Sequence, residues 1–198
     1  MAGSGRIHHP GLARKVVPAE EAAGHIRHGD TVGMSGFTGA GYPKAVPQAL
    51  AQRISDVHAA GEPFRVNVWT GASTAPELDG ALAAADGIEL RLPYQSDPVS
   101  RDKINRGLME YIDVHLSHVA QMAWMGFLGP LDVAVVEVSG ITADGDLVPS
   151  SSVATTRRGW TGPTGWSSRS TPGRAPSSTG CTTSTTAPRC RRTAGRSR

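Results

Sequence analysis

Apolar positions along the first 150 residues switch between two periods. Val46, Leu50 and Ile54 recur four apart, whereas Phe64, Val66 and Val68, and then Ile88, Leu90 and Leu92, recur two apart. The first spacing predicts a helix within "YPKAVPQALAQRIS", the second predicts strands in "FRVNVWTG" and "IELRLPY". Upstream, "PAEEAAGHI" predicts a short helix over about 18–26, with Pro18 at its first turn and acids near its N-terminal end. "TVGMSGF" reads as a strand running into a glycine-rich loop, and "APELDGALAAADG" as a helix ending at Gly87. The long run from Ser100 to Gly129 reads as helix in at least two pieces, with Gly107 and Gly126 as weak points. "LDVAVVEVSGI" is apolar and β-branched at nearly every position, as befits a strand covered on both faces. "TADGDLVPSSSV" then opens on an Asp-Gly turn. Strands alternating with helices predict an α/β domain over 8–153, an open, mostly parallel sheet flanked by helices.

Composition divides the chain in two. Residues 154–198 hold nine of the 20 basic side chains, all Arg, and none of the 17 acids, so the part before them carries a net charge of −6. The high isoelectric point is thus a property of the tail and does not mark the body as a nucleic-acid binder. Both cysteines, Cys181 and Cys190, also lie in the tail, and the body calls for no disulfide framework. The opening residues lack the apolar stretch of a signal peptide, and no apolar run reaches the length of a membrane span, so the body reads as cytoplasmic, with no membrane partner. Beyond Trp166 the tail has no aliphatic side chain larger than Ala, a composition that cannot offset the entropy of ordering and predicts an unstructured segment.

Candidate chemistry concentrates in residues 29–50. Gly33, Gly36, Gly39 and Gly41 crowd a strand-to-helix junction, where glycine lets the backbone approach a ligand. The helix beginning near Pro43 points its N–H groups and dipole toward that loop, which suits a carboxylate, phosphate or thioester oxygen. Gly36, Gly39 and Gly41 have the reverse of the dinucleotide-binding spacing, and a packing turn that binds nothing is the alternative. Lys44 meets either an anion or solvent. Arg91, Tyr94, Gln95, Ser96 and Arg101 follow a strand, where open α/β sheets bind ligands, or form a surface turn capped by Asp97-Pro98. Glu137 reads as a structural carboxylate at a strand end. His115 and His118 share a helix face without a third metal ligand.

The segments "GMSGFTGAGYPKAVP", "LRLPYQSDPVSRDKINRG", "YIDVHLSHVAQM" and "VAVVEVSGITADGDLVPSSSV" together resemble the acetyl-CoA hydrolase/transferase family, which includes the succinyl-CoA:acetate CoA-transferases. The resemblance covers residues 10–153 and implies the N-terminal one of two related α/β halves. It implies acyl-CoA and a small carboxylate as substrates, coenzyme A as substrate with no further cofactor, and a homodimeric parent; the loop readings above make Gly36, Phe37, Gly39, Gly41, Lys44, Gln95 and Arg101 the candidate substrate-facing set. The family reaction runs through a glutamyl-CoA thioester on a glutamate of the other half, so no catalytic residue is assigned here and the chain is expected to be inactive alone. Family members continue "SSSV" with "GNNKTW" and a strand containing "EVN". Back-translated with free choice among synonymous codons and read one base out of register, residues 154–172 return a string opening on GNNKTW. This predicts a frameshifted tail over 154–198. A noncatalytic fragment, or a module binding partners through its basic tail, is the alternative.

Overall fold

The computed structural model describes residues 4–152, together with the stretches 166–170 and 181–185. A short helix α1 (Pro10–Ala13) and strand β1 (Val16–Val17) precede α2 (Ala19–Gly24). The alternating portion follows: β2 (Thr31–Met34), α3 (Ala45–Ala59), β3 (Val66–Trp69), a π-type turn (Pro76–Gly80) leading into α4 (Ala81–Ala84), and β4 (Ile88–Leu92). Next come α5 (Pro98–Asn105), β5 (Glu110–Tyr111), α6 (Leu116–Trp124), β6 (Val133–Ile141) and β7 (Leu147–Pro149), and the tail adds β8 (Trp166–Ser170) and β9 (Cys181–Thr185). Among the described residues these strands form one sheet in the order β1-β9-β8-β6-β2-β3-β4-β5, with β7 also paired to β6. From β8 through β5 every neighbouring pair is parallel, and β7, β9 and β1 supply antiparallel pairings.

The burial pattern explains why these residues choose strands. All four residues of β2 are buried, as are five successive residues of β6 from Ala134 to Val138. Both strands lie inside the sheet with layers on either face, so apolar residues dominate both faces and the buried acid among them, Glu137, needs partners. Val46, Leu50 and Ile54 line one side of α3 at zero exposure and pack with Val32, Val66 and Val68 in the main core. Each such side chain contributes about 1.5–3 kcal/mol on leaving water. Gly87 permits the approach of α3 to the turn before β4, because a Cβ there would lie 2.6 Å from Ile54 Cδ1.

The expected helix over Ser100–Gly129 resolves into α5 and α6. Gly107 and Gly126 hold φ of 69° and 80° just beyond them, and the two-residue β5 stands between. The tail departs from its expectation at ten residues. Trp166–Ser170 pairs in parallel with β6, and Cys181–Thr185 pairs with β8 and β1. An open flank of β6 accepts any backbone that presents donors and acceptors in register, and Thr-rich segments tolerate the extended form. The rest of that expectation lies outside the described residues.

Candidate functional site

β2 is the point where the sheet's connections part: the chain proceeds from β2 through α3 to β3 on one side, while β6 lies on the other. Open α/β sheets form their ligand crevice at the carboxyl ends of the strands at such a point. The loop between β2 and α3 occupies it, so the expected position of the Gly36–Gly41 loop is met.

The loop has a fixed base and an open tip. At the base, Ser35 is fully buried; its hydroxyl donates to Gly41 O at 2.7 Å and accepts from Glu137 N–H at 2.8 Å. Gly36 holds φ 132°, and a Cβ there would fall 2.6 Å from Tyr42 Cβ. Gly41 holds φ 66°, and a Cβ there would fall 2.6 Å from Ser152 Cβ and 2.8 Å from Ser152 N. Both glycines are required by packing and by a backbone region that favours glycine. At the tip, Phe37 and Ala40 exchange two backbone hydrogen bonds of 2.9 and 3.1 Å, closing a tight turn with Thr38 at φ 50°. Phe37, Thr38 and Gly39 are exposed, and a Cβ on Gly39 meets nothing within 4 Å. The packing-turn reading thus describes Gly36 and Gly41, whereas Gly39 and Phe37 face open space.

Lys44 joins the loop to α3. It is the N-cap residue, and α3 begins one residue beyond Pro43 and Lys44 with no side-chain cap. The Lys44 ammonium lies 3.1 Å from Glu137 Oε2, 3.3 Å from Tyr42 O and 4.1 Å from the centre of the Tyr42 ring. Glu137 Oε1 accepts from Ser150 Oγ at 2.7 Å. Burial, then the hydrogen bond and charge of Glu77, then the charge of Glu137, push the Tyr42 phenol up to about 12, so it stays neutral and donates to Glu77 Oε2 at 3.0 Å. Glu137 therefore has a structural setting, as expected, but it lies midway along β6 rather than at a strand end, and it meets the candidate loop through its backbone N–H on Ser35 and its carboxylate on Lys44.

The next loop toward β4 forms the adjacent wall; Thr74 Cγ2 would lie 3.1 Å from a Cβ on Gly36. An ion pair with zero exposure on both sides holds this loop. Arg91 Nε lies 3.0 Å from Asp79 Oδ1, and Arg91 Nη2 donates to Thr70 Oγ1 at 2.8 Å and Ala72 O at 3.2 Å. Asp79 Oδ2 also accepts from Thr74 N–H and Thr74 Oγ1, both at 2.6 Å. Burial by itself would raise the Asp79 pKa; the charge and hydrogen bonds of Arg91, with those of Thr74, outweigh it and hold the group below the ordinary Asp value. Arg91 is thus a buried structural cation and does not face a ligand.

Gln95 is also buried. Its Oε1 accepts from Ser73 Oγ at 2.8 Å and from Asp97 N–H at 2.7 Å, which fixes the amide orientation and leaves Nε2 without a partner among the described residues. Ser96 bonds Ser73, and Tyr94 stands 57 % exposed. Arg101 lies exposed on α5, away from this cluster's hydrogen bonds, and Asp97 caps that helix through Ser100 N–H. The structure therefore brings Gly36, Phe37, Gly39, Gly41 and Lys44 together, sets Gln95 in the neighbouring loop and leaves Arg101 apart. His115 is the N-cap of α6, accepting from Ser117 N–H. Ser35 and Ser150, which with Glu137 hold the loop, carry no sequence signal of their own.

A groove of about 480 Å³ lies at the opposite, N-terminal edge of the strands, beside His28, His58, Arg65 and Glu89. Its polar groups are already satisfied within the chain: His58 bonds the Phe64 backbone and Arg65 bonds Glu89. The geometry at the switch point therefore outranks it as a site. No helix among the described residues is long and apolar enough to cross a membrane, and none of their His, Cys, Asp and Glu side chains gather in threes that could hold a metal.

The family model for the acetyl-CoA hydrolase/transferase N-terminal domain matches residues 8–161. Succinyl-CoA:acetate CoA-transferase of Clostridium kluyveri is 44 % identical over 151 residues, covering 76 % of this chain and 28 % of the relative. Propanoyl-CoA:succinate CoA transferase of Escherichia coli is 47 % identical over 127 residues, covering 64 % of this chain and 26 % of the relative. Acetyl-CoA hydrolase of Schizosaccharomyces pombe is 36 % identical over 159 residues, covering 76 % and 30 %. The chain thus spans less than a third of the length of these relatives. An acyl-CoA transferase structure from Escherichia coli O157:H7 shares the fold at a TM-score of 0.53 and 12 % identity, over 69 % of this chain and 35 % of that one. The chain belongs to the acetyl-CoA hydrolase/transferase family and carries its N-terminal domain.

Proposed function

We propose that residues 8–153 are the N-terminal domain of a cytoplasmic acyl-CoA:carboxylate CoA-transferase or acetyl-CoA hydrolase, and that the β2–α3 loop faces the acyl and carboxylate groups of the substrates. The observation that carries this reading is the loop itself: an exposed tip at Phe37–Gly39, on a rigid base, at the switch point of a sheet whose relatives transfer or hydrolyse CoA thioesters. Backbone donors and an uncapped helix start suit a developing oxyanion or a carboxylate. Gln95 Nε2, buried and without a partner among the described residues, is the side-chain donor that a substrate oxygen would satisfy.

The nucleophile of this reading is a glutamate outside the chain, forming the glutamyl-CoA thioester. Covalent catalysis needs that group within bonding reach of the thioester carbon, so the 198-residue chain alone has no turnover. Both oxygens of Glu137 are engaged, which removes it as a substitute. Residues 154–198 are read as the product of a one-base register change after Val153. Two features support this: the acid-free composition of residues 154–198, and the shifted string, which opens on the GNNKTW that family members carry after "SSSV". Trp124, Met125 and Phe127, 72 %, 59 % and 74 % exposed, form an apolar surface of the kind that an absent second half would cover.

The test restores one base after the Val153 codon with the downstream gene intact. The repaired protein is expected to release thiol from acetyl-CoA, or to exchange CoA between succinyl-CoA and acetate, and the 198-residue chain to do neither. Comparable turnover by the unrepaired chain overturns the reading.

A further inference from the structure

Lys44 occupies an unfavourable place. As N-cap of a fifteen-residue helix it holds a cation against the positive end of the helix dipole, with no side-chain cap to offset it. Glu137 compensates from 3.1 Å, but the two partners differ in freedom, since the Glu137 side chain is 5 % exposed and that of Lys44 38 %. The carboxylate is anchored: Ser150 Oγ donates to its other oxygen, and its backbone N–H is tied to the buried Ser35 hydroxyl. Among the described residues the ammonium has only the Tyr42 carbonyl and ring besides. Of this pair, the lysine head alone can swing out without dismantling the loop base.

We propose that Glu137 is the resident counter-ion of Lys44, and that a small carboxylate ligand binds at the loop by drawing Lys44 away from it. This deepens the reading of the loop as the carboxylate-facing element and rests on that reading. Exchange of one carboxylate for another is nearly neutral for the ammonium. It is not neutral for Glu137, which is left buried with Ser150 as its remaining side-chain donor, and an unpaired buried carboxylate is costly. Glu137 therefore sets the threshold that an anion must exceed. It acts through Lys44 as a positioning residue and touches no reacting atom.

The inference predicts opposite effects from two near-isosteric changes. The ¹⁵N-labelled 198-residue chain is titrated with sodium acetate at constant ionic strength balanced by chloride, following the amide signals of Phe37, Gly39 and Lys44. Glu137→Gln preserves shape and removes the counter-charge, and is expected to bind acetate roughly tenfold more tightly than the unaltered chain, within the usual range of coupling between two sites. Lys44→Met is expected to lose the response. Glu137→Asp, which draws the carboxylate back by one methylene, is expected to tighten binding by a smaller factor and decides the matter if Glu137→Gln fails to fold. Acetate affinity that is unchanged or weaker in both Glu137 variants overturns the inference while leaving the loop reading intact. No acetate-dependent shift in any variant overturns both.

Discussion

Two ion pairs stand on adjacent loops at the same edge of the sheet, and they differ in how far water reaches them. Asp79–Arg91 has zero exposure on both sides, and every strong donor of the guanidinium is occupied within the 70–79 loop or on Leu92. Lys44–Glu137 is closed on the acid side and open on the base side. The closed pair fixes a wall and leaves nothing for a ligand. The half-open pair fixes one partner and presents the other. A charge at a crevice edge is thus assigned to architecture or to binding by which of its groups retains freedom, and mutations at the two pairs should separate these roles.

The largest effect is expected at the closed pair. Arg91→Met removes the cation and leaves Asp79 buried and uncompensated, which costs about 3–5 kcal/mol. Chemical denaturation of the 198-residue chain reads this directly, and a loss below about 1 kcal/mol, the range of exposed pairs, would erase the contrast. Acid supplies a second reading of the same pair. The folded pKa of Asp79 is depressed, so its contribution is complete above the unfolded value of about 3.9 and declines as pH falls below that toward the folded pKa. The melting temperature should therefore fall on acidification below about pH 4, and Asp79→Asn should flatten that part of the profile while lowering the plateau.

The glycines give the intermediate effect. Gly41→Ala forces a Cβ against the Ser152 backbone at positive φ, and strain plus overpacking of this kind costs about 2–4 kcal/mol. Gly39→Ala meets open space and should shift stability by less than about 0.5 kcal/mol. In a repaired, full-length enzyme a bulky residue at Gly39 should instead lower turnover more than stability. Equal losses of melting temperature at Gly39 and Gly41, with no kinetic effect specific to Gly39, would reduce the whole loop to a packing turn.

Legibility in the sequence followed locality. β6 announced itself because a β-branched, mostly apolar run is interrupted over its buried stretch by Glu137 alone, and α3 because Val46, Leu50 and Ile54 repeat one face. The loop was legible from its glycines, yet their division of labour was not, since Gly41 is constrained by Ser152, more than a hundred residues away. Ser35 gave no signal for the same reason: its role is a bond to Glu137 across two parallel strands. By sequence Arg91 resembles a ligand-facing residue because it adjoins a strand-end loop, and its partner Asp79 lies in a turn whose sequence looks like helix. Strands β5 and β7, two and three residues long, are too short to show a period, and sheet pairing defines them instead.

The smallest effect is expected at a pair that shares the chemistry and lacks the setting. Arg106 Nη1 lies 3.2 Å from Asp102 Oδ2 one turn earlier on the surface around α5, with the two side chains 65 % and 62 % exposed. The distance matches that of the Lys44–Glu137 pair and is close to that of Asp79–Arg91. Water and salt screen it, both side chains lose entropy in forming it, and pairs of this kind contribute about 0.3–0.5 kcal/mol. Arg106→Ala should therefore change unfolding stability by no more than about 0.5 kcal/mol, and the change should shrink further in high salt. A loss approaching that of Arg91→Met would mean that separation between charges, not their exposure, governs these pairs, and the distinction drawn between the two loop pairs would lose its basis.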